Sequence, residues 1–373
     1  MINLKNSYIY LLFTILIAYT AYNFLWTRFG LGLTLIIQYL LLFLLFVGLT
    51  VYLTTRSTYK NSWSTWLIVL WVTQLLAFYI GDSNATTQFK ESTFVLLIPA
   101  PIIALKYSTK KIKQLFIVLA AVSISMYFAT IEWMRLNDEN SYGGGYMILV
   151  ALPVLLYFFR NKSILTQMMT IIILFVLVLT SMKRGDILAT ILGLGVFFCI
   201  KLKGSGKFDI RILLLVVATI LIGYLTSRYL VATNEVFAWR LQQTLEGDSS
   251  NRDIIYSTLW KYFINAPFDV QLFGGGFDAT LRICGERAHS DVLEILTCEG
   301  LVGLLIYLGS LFSLLRHTLR RDDITEKAIL AFILVIWLVK MSFSMFIYSQ
   351  PTIILFALTA YILNNKINNQ YEY

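Results

Sequence analysis

The sequence predicts an all-α, polytopic transmembrane bundle of about twelve spans, both termini cytoplasmic, with one large outer-face loop between spans nine and ten. Three observations predict it. Hydrophobic residues make up 58% of the 373 and charged residues 14%, with a mean hydropathy of +0.73, far from soluble composition. Apolar runs of helix-crossing length recur along the whole chain. The period-2 alternation of a membrane barrel is absent, which leaves helices as the way to satisfy the backbone in lipid.

Taken in order, the expected spans are 8–26, 31–53, 63–81, 92–107, 115–133 and 145–159 in the first half. The second half adds 165–182, 187–200, 212–230, 292–315, 328–348 and 352–363. The first run is long and no small-residue cleavage site follows it, so it reads as a retained span rather than a removable signal. The chain is expected to be one integral membrane domain, 1–373, with 231–290 as the outer loop.

Orientation follows from Lys and Arg, which concentrate in cytoplasmic loops. With the N-terminus inside, one face collects Lys106, Lys110, Lys111 and Lys113, then Lys201, Lys203, Lys207 and Arg211, then Arg316, Arg320, Arg321 and Lys327. Every dense basic cluster falls on that side. The formal charge of +9 is therefore mostly topological, and it does not argue for a nucleic-acid partner.

The cations that break this rule carry more information. Lys183 and Arg184 lie at an outer junction in SMKRGD, and Arg228 ends the ninth span. The outer loop adds Arg240, Arg252, Lys261, Arg282 and Arg287, and Lys340 falls inside the eleventh span. Cations placed against the insertion preference call for an anionic partner. That partner is either an anionic ligand or the loop's own carboxylates, Asp253, Asp278 and Glu286 among them.

Within the loop, Asp248-Ser249-Ser250 offers an N-cap for an amphipathic helix ending before Pro267. Ile255, Leu259, Trp260 and Phe263 stand at helical spacing, which suits a helix on the membrane surface. Gly274-Gly275-Gly276 makes a turn that brings backbone close to protein or ligand. Asp291 and Glu294 ahead of a long apolar run read as a capping box, which explains them without catalysis. A helix starting early enough would put His289, Leu293, Leu296, Gly300 and Gly303 on one face. No metal site is predicted: there are two histidines, and no cysteine pair has ligand spacing.

Arg252 ahead of a Trp-containing helix, then Pro267, LFGGG and AHSDVLEILTCEGLVGLLIYL, resembles the signature of the O-antigen ligase/polymerase superfamily. SMKRGDILATILGLG resembles that family's Ser-Arg-Gly turn at a span junction, with Met182 and Lys183 between Ser181 and Arg184. The likeness covers about 180–308, with its specific part in the last third. Two departures stand out. His289 is followed by Ser290-Asp291 where Asn is common. The paired Arg-x10-Gly repeats of some O-antigen polymerases are missing, since eleven residues beyond Arg240 and Arg252 stand Asn251 and Phe263.

The resemblance implies a membrane glycosyltransferase of the bacterial cytoplasmic (inner) membrane, acting on undecaprenyl-diphosphate-linked glycans without a further cofactor. Its partners would be the bilayer, the lipid-linked oligosaccharide donor and acceptor, and flippase and chain-length regulator proteins. Such a reaction needs charge stabilisation of the leaving diphosphate and a base for the acceptor hydroxyl. Arginine binds phosphate bidentately and stays charged. Arg252 and Arg184 are the first candidates, with Arg282, Arg287, Arg240 and Lys183 next and Gly274 and Gly276 lining the site. His289 is the candidate base, with Asp291 and Glu294 as alternatives. A polymerase of surface polysaccharide (O-antigen, capsule or exopolysaccharide) is preferred to a ligase because the chain is short and the surroundings of His289 depart from the pattern. The rival class is a lipid-linked oligosaccharide flippase, against which stand the lack of an internal repeat and the late, one-sided placing of the charged loop.

Overall fold

The computed structural model describes residues 2–29, 33–55, 61–81, 86–105, 109–136, 144–181, 183–204, 210–246 and 251–369. The described residues are helical throughout, with no strand. In chain order the first half holds α1 (Ile2–Phe29), α2 (Leu33–Thr54), α3 (Ser62–Ile80), α4 (Thr86–Leu97), α5 (Pro99–Ala104), α6 (Thr109–Leu136) and α7 (Gly145–Phe158). Then come α8 (Ile164–Thr180), α9 (Arg184–Gly204), α10 (Ile210–Thr233), α11 (Glu235–Leu245), α12 (Arg252–Asn265), α13 (Phe268–Phe273) and α14 (Ala279–Cys284). The last four are α15 (Asp291–Cys298), α16 (Gly300–Leu319), α17 (Ile324–Phe343) and α18 (Thr352–Asn369).

Each of the twelve apolar runs has a helical counterpart, but among the described residues seven helices are long and apolar enough to cross a membrane. The others differ for identifiable reasons. The expected span 92–107 is two short helices, α4 and α5, parted at Ile98 because Pro99 and Pro101 supply no backbone donor. Residues 92–103 are buried without a break, so this segment lies inside the bundle rather than against lipid. The expected span 292–315 breaks at Glu299 into α15 and α16, with Gly300 in left-handed backbone at φ 69°. α7, α8 and α18 are apolar but shorter, and α17 carries Glu326, Lys327 and Lys340. With many apolar helices packed on one another, the chain is a multi-pass membrane protein.

α9 and α17 pack along their lengths, and Gly193 permits this, since a Cβ there would run into the Phe332 ring. The core around them is aromatic, with Trp337 stacked on Phe346 at 5.2 Å and Tyr307 and Trp337 fully buried. This pairing sets where the first turn of α9 and the last turn of α17 lie, and both belong to the candidate site.

Candidate functional site

The end of α17 is where the site is assembled. A helix leaves its last carbonyls without internal donors, and two of those of α17 are met by side chains from elsewhere. Ser290 Oγ donates to the Met341 carbonyl at 3.1 Å, and Tyr256 Oη donates to the Ser342 carbonyl at 3.1 Å. In the same last turn, Lys340 Nζ donates to Asp186 Oδ1 at 2.8 Å and sits 4.1 Å over the Tyr146 ring. Asp186 belongs to the first turn of α9, two residues past Arg184. The end of α17 therefore gathers three distant stretches: the start of α9 with Lys183 and Arg184, the loop bearing His289, and α12 with Arg252 at its first position.

His289 is solvent-accessible and stands in left-handed backbone, φ 51°, uncommon for a residue with a Cβ. Its neighbours hold it there. The Ala288 amide donates to Glu294 Oε2 at 3.0 Å, Tyr256 Oη donates to the His289 carbonyl at 3.2 Å, and Ser290 is tied to α17. The imidazole pKa is lowered by burial first, then by the Arg252 cation and, more weakly, by Lys183, against the opposing pull of Glu286 and Glu294. A histidine lowered in this way is neutral at pH 7 and free to accept a proton.

The structure corrects several expectations here. Asp291 and Glu294 do not form a capping box. The Asp291 carboxylate is fully buried and accepts from Tyr307 Oη at 2.8 Å and from the Phe346 and Ile347 amides at 2.9 and 3.2 Å. It thereby joins α15 and α16 to the segment after α17. Glu294 accepts from Thr280 Oγ1 at 2.8 Å, from Ala288 and from Arg287 at 3.0 Å. His289 does not share a helix face with Leu293 and Gly303 either, because α15 begins two residues after it. The Asp248-Ser249-Ser250 cap lies outside the described residues. α12 begins at Arg252, and the residue at its N-cap, Asn251 at φ 64°, makes no side-chain cap.

The remaining candidates separate by environment. Arg287 pairs with both Asp278 and Glu294, carboxylates more buried than itself, and so knits α14 to α15. Arg282 is exposed, and its Nη2 donates to the Gly275 carbonyl at 2.5 Å. Arg240 lies on α11, with its side chain outside the described residues. Gly274 and Gly276 face protein. A Cβ on Gly274 would collide with the Cys298 backbone, and one on Gly276 would meet Gly81 at 2.8 Å. The Gly275 and Gly276 amides donate to the Thr297 and Cys298 carbonyls at 2.8 and 3.1 Å, capping the broken end of α15, so the triple glycine is a backbone-to-backbone joint that leaves no room for a ligand. His289, Arg252 and Lys183 are exposed or partly exposed, with Arg184 beginning α9 beside Lys183, and the Arg252 and Lys183 charges both lower the His289 pKa.

α12 has one exposed apolar side. Trp260 and Ile264 are exposed, with Phe263 stacked on Trp260 at 6.0 Å. Its other side, Ile255 and Leu259, packs on Ala288 beneath the histidine, so the helix also forms the floor of the site.

Sequence reasoning singled out Lys340 but not its partner Asp186, and it passed over Tyr256 and Glu299. Glu299 is buried and accepts from Thr73 Oγ1 at 3.1 Å and Tyr348 Oη at 3.2 Å. A carboxylate inside an apolar run was the available signal for Glu299. Tyr256 gave none.

No curated protein matches the chain. A family model described as O-antigen ligase matches residues 169–308, a stretch that runs from α8 into α16 and contains Lys183, Arg184, Arg252 and His289. Over that stretch, which is less than half of its length, the chain is similar to the O-antigen ligase family, whose members are membrane glycosyltransferase-like enzymes.

Proposed function

We propose that the chain is a polymerase of bacterial surface polysaccharide, working at the outer face of the cytoplasmic membrane with both termini inside and the helical segments making about twelve crossings. The donor is a glycan on undecaprenyl diphosphate and the acceptor is a sugar hydroxyl of a lipid-linked repeat unit. The observation that carries this reading is an accessible histidine on a loop tied to the end of α17, where α12, which begins at Arg252, and the start of α9, with Lys183 and Arg184, are also tied.

The arrangement suits glycosyl transfer from a diphosphate. His289 accepts the proton of the acceptor hydroxyl as its oxygen bonds to the anomeric carbon of the donor. The bond from that carbon to the phosphate oxygen breaks, and the diphosphate leaves with the electron pair. The negative charge gained by that oxygen is met by Arg252, with Lys183 and Arg184 beside it, as cations placed where charge develops. Arg287 has no such part, because its guanidinium is committed to Asp278 and Glu294. The likeness to the O-antigen ligase family favours a second reading in which finished polymer is moved to a different acceptor.

Cells carrying Arg252→Ala or His289→Ala, with each variant's expression verified, separate the readings. A polymerase gives single lipid-linked repeats and no polymer. A ligase leaves long polymer on the carrier lipid. Polymer of normal length and attachment in both variants would sink the assignment.

A further inference from the structure

Tyr256 occupies a place that the transfer chemistry above does not use. It lies one helical turn beyond Arg252 on α12, and its hydroxyl faces two carbonyls at once, that of His289 at 3.2 Å and that of Ser342 at 3.1 Å. A phenol has one hydrogen, so a single donor is shared between the loop bearing the base and the end of α17. Arg252 and Tyr256 stand four residues apart, on the same side of α12. Any tilt of α12 that moved the hydroxyl away from His289 would carry Arg252 with it.

The ring is well placed to hold this register. It packs against the small cluster of Ile255, Leu259 and Ala288, so the phenol is fixed at its base as well as at its tip. Burial raises its pKa, partly offset by Arg252, which keeps the hydroxyl protonated and donating. The other ties on the histidine loop, Glu294 to Ala288 and Ser290 to Met341, come from α15 and from the loop itself. Among the described residues, Tyr256 supplies the hydrogen bond that reaches this loop from α12.

We infer that Tyr256 is a positioning residue for glycan transfer: its hydroxyl fixes His289 in left-handed backbone and sets the distance from that histidine to Arg252. This rests on the transfer reading for its consequence in catalysis, but not for its structural content. Tyr256→Phe keeps the ring and its packing, and it removes the shared donor alone.

The chain's two histidines make the test direct. In a His317→Gln background, histidine labelled with 13C and 15N gives one imidazole signal in proteoliposomes, that of His289. Introducing Tyr256→Phe there is expected to raise the titration midpoint of that signal toward the free-histidine value, as Arg252 withdraws. With lipid-linked repeat units as substrate, kcat is expected to fall about tenfold, the scale of one lost hydrogen bond, with KM unchanged. An unchanged titration would overturn the inference whatever happened to turnover. A moved titration, in a protein whose His289→Ala form still makes full-length polymer, would keep the positioning role and remove the transfer reading instead. A fall in melting temperature with an unmoved titration would reduce Tyr256 to a packing residue and likewise defeat the inference.

Discussion

Lys340, in the last turn of α17, donates to Asp186, in the first turn of α9, across 2.8 Å, and neither side chain is more than 7% exposed. The pair ties together two helices whose ends carry the candidate site: Lys183 and Arg184 stand just before Asp186, and Ser342 just after Lys340. Two ions out of water are expensive to hold, and removing one partner leaves the other buried and uncompensated. Lys340→Ala is therefore expected to destabilise the protein by about 3–5 kcal/mol. A Lys340→Met, Asp186→Leu double variant should recover most of that loss. Thermal unfolding in nanodiscs measures both, and a double variant no more stable than the single one would contradict the pairing as the cause.

The pH dependence of transfer follows from His289. Its folded pKa lies below the ordinary histidine value of about 6.5, so the neutral base persists to lower pH than in a free imidazole. Activity should rise with pH through that lowered value and stay flat above it. Linkage has the same sign: the contribution to stability is complete above the unfolded pKa and is lost as pH falls through the folded one. Arg252→Lys keeps the charge and leaves the acid limb in place. Arg252→Ala removes a cation that lowers the pKa, and should move the His289 imidazole titration to higher pH. Initial rates across pH 5–8 check the limb in the parent and in Arg252→Lys, the imidazole NMR titration checks Arg252→Ala, and a shift of that titration to lower pH would contradict the direction.

Arg287 and Arg252 should fail in different ways. Arg287→Ala strands Asp278 and Glu294, which are 7% and 1% exposed in their side chains. A loss of about 3 kcal/mol and low yield are expected, with catalysis falling because less folded protein remains. Arg252→Ala should leave the melting temperature within about 1 kcal/mol of the parent while abolishing polymer. Parallel melting curves and activity per folded molecule distinguish the two.

Among the glycines with positive φ, the cost of a methyl group should track what lies in its path. Gly274→Ala puts a Cβ into the Cys298 backbone at φ 82°, so strain and collision add, and a loss of about 3 kcal/mol or more is expected. Gly285→Ala, at φ 73° with open space around it, should cost about 1–2 kcal/mol from backbone strain alone. Equal losses at the two positions would mean that the joint between the triple glycine and α15 yields more than its geometry implies.

The helical membrane class was legible in the sequence because it depends on local quantities. A run such as 33–54 is apolar over a length that lipid can cover, whatever else the chain does. Lys340 stood out for the same reason, as a cation inside an apolar run. The breaks were harder to place. Pro99 and Pro101 announce one of them, whereas the interruption at Glu299 rests on Gly300 adopting φ 69° so that the Gly275 and Gly276 amides can reach the end of α15.

The sequence by itself determined that this is a helical membrane protein, and it singled out late in the chain the histidine and arginine that the superfamily likeness picks out. Only the tertiary structure decided which partners Arg287, Lys340 and the triple glycine meet. Arg287 is spent on Asp278 and Glu294, Lys340 on Asp186, and the triple glycine on the backbone of Cys298. The Arg252 and Lys183 charges lower the His289 pKa. Those outcomes join residues up to 154 positions apart. They depend on how α9 seats against α17 and α12 beneath the histidine loop, and packing between distant segments leaves no periodicity or spacing to read.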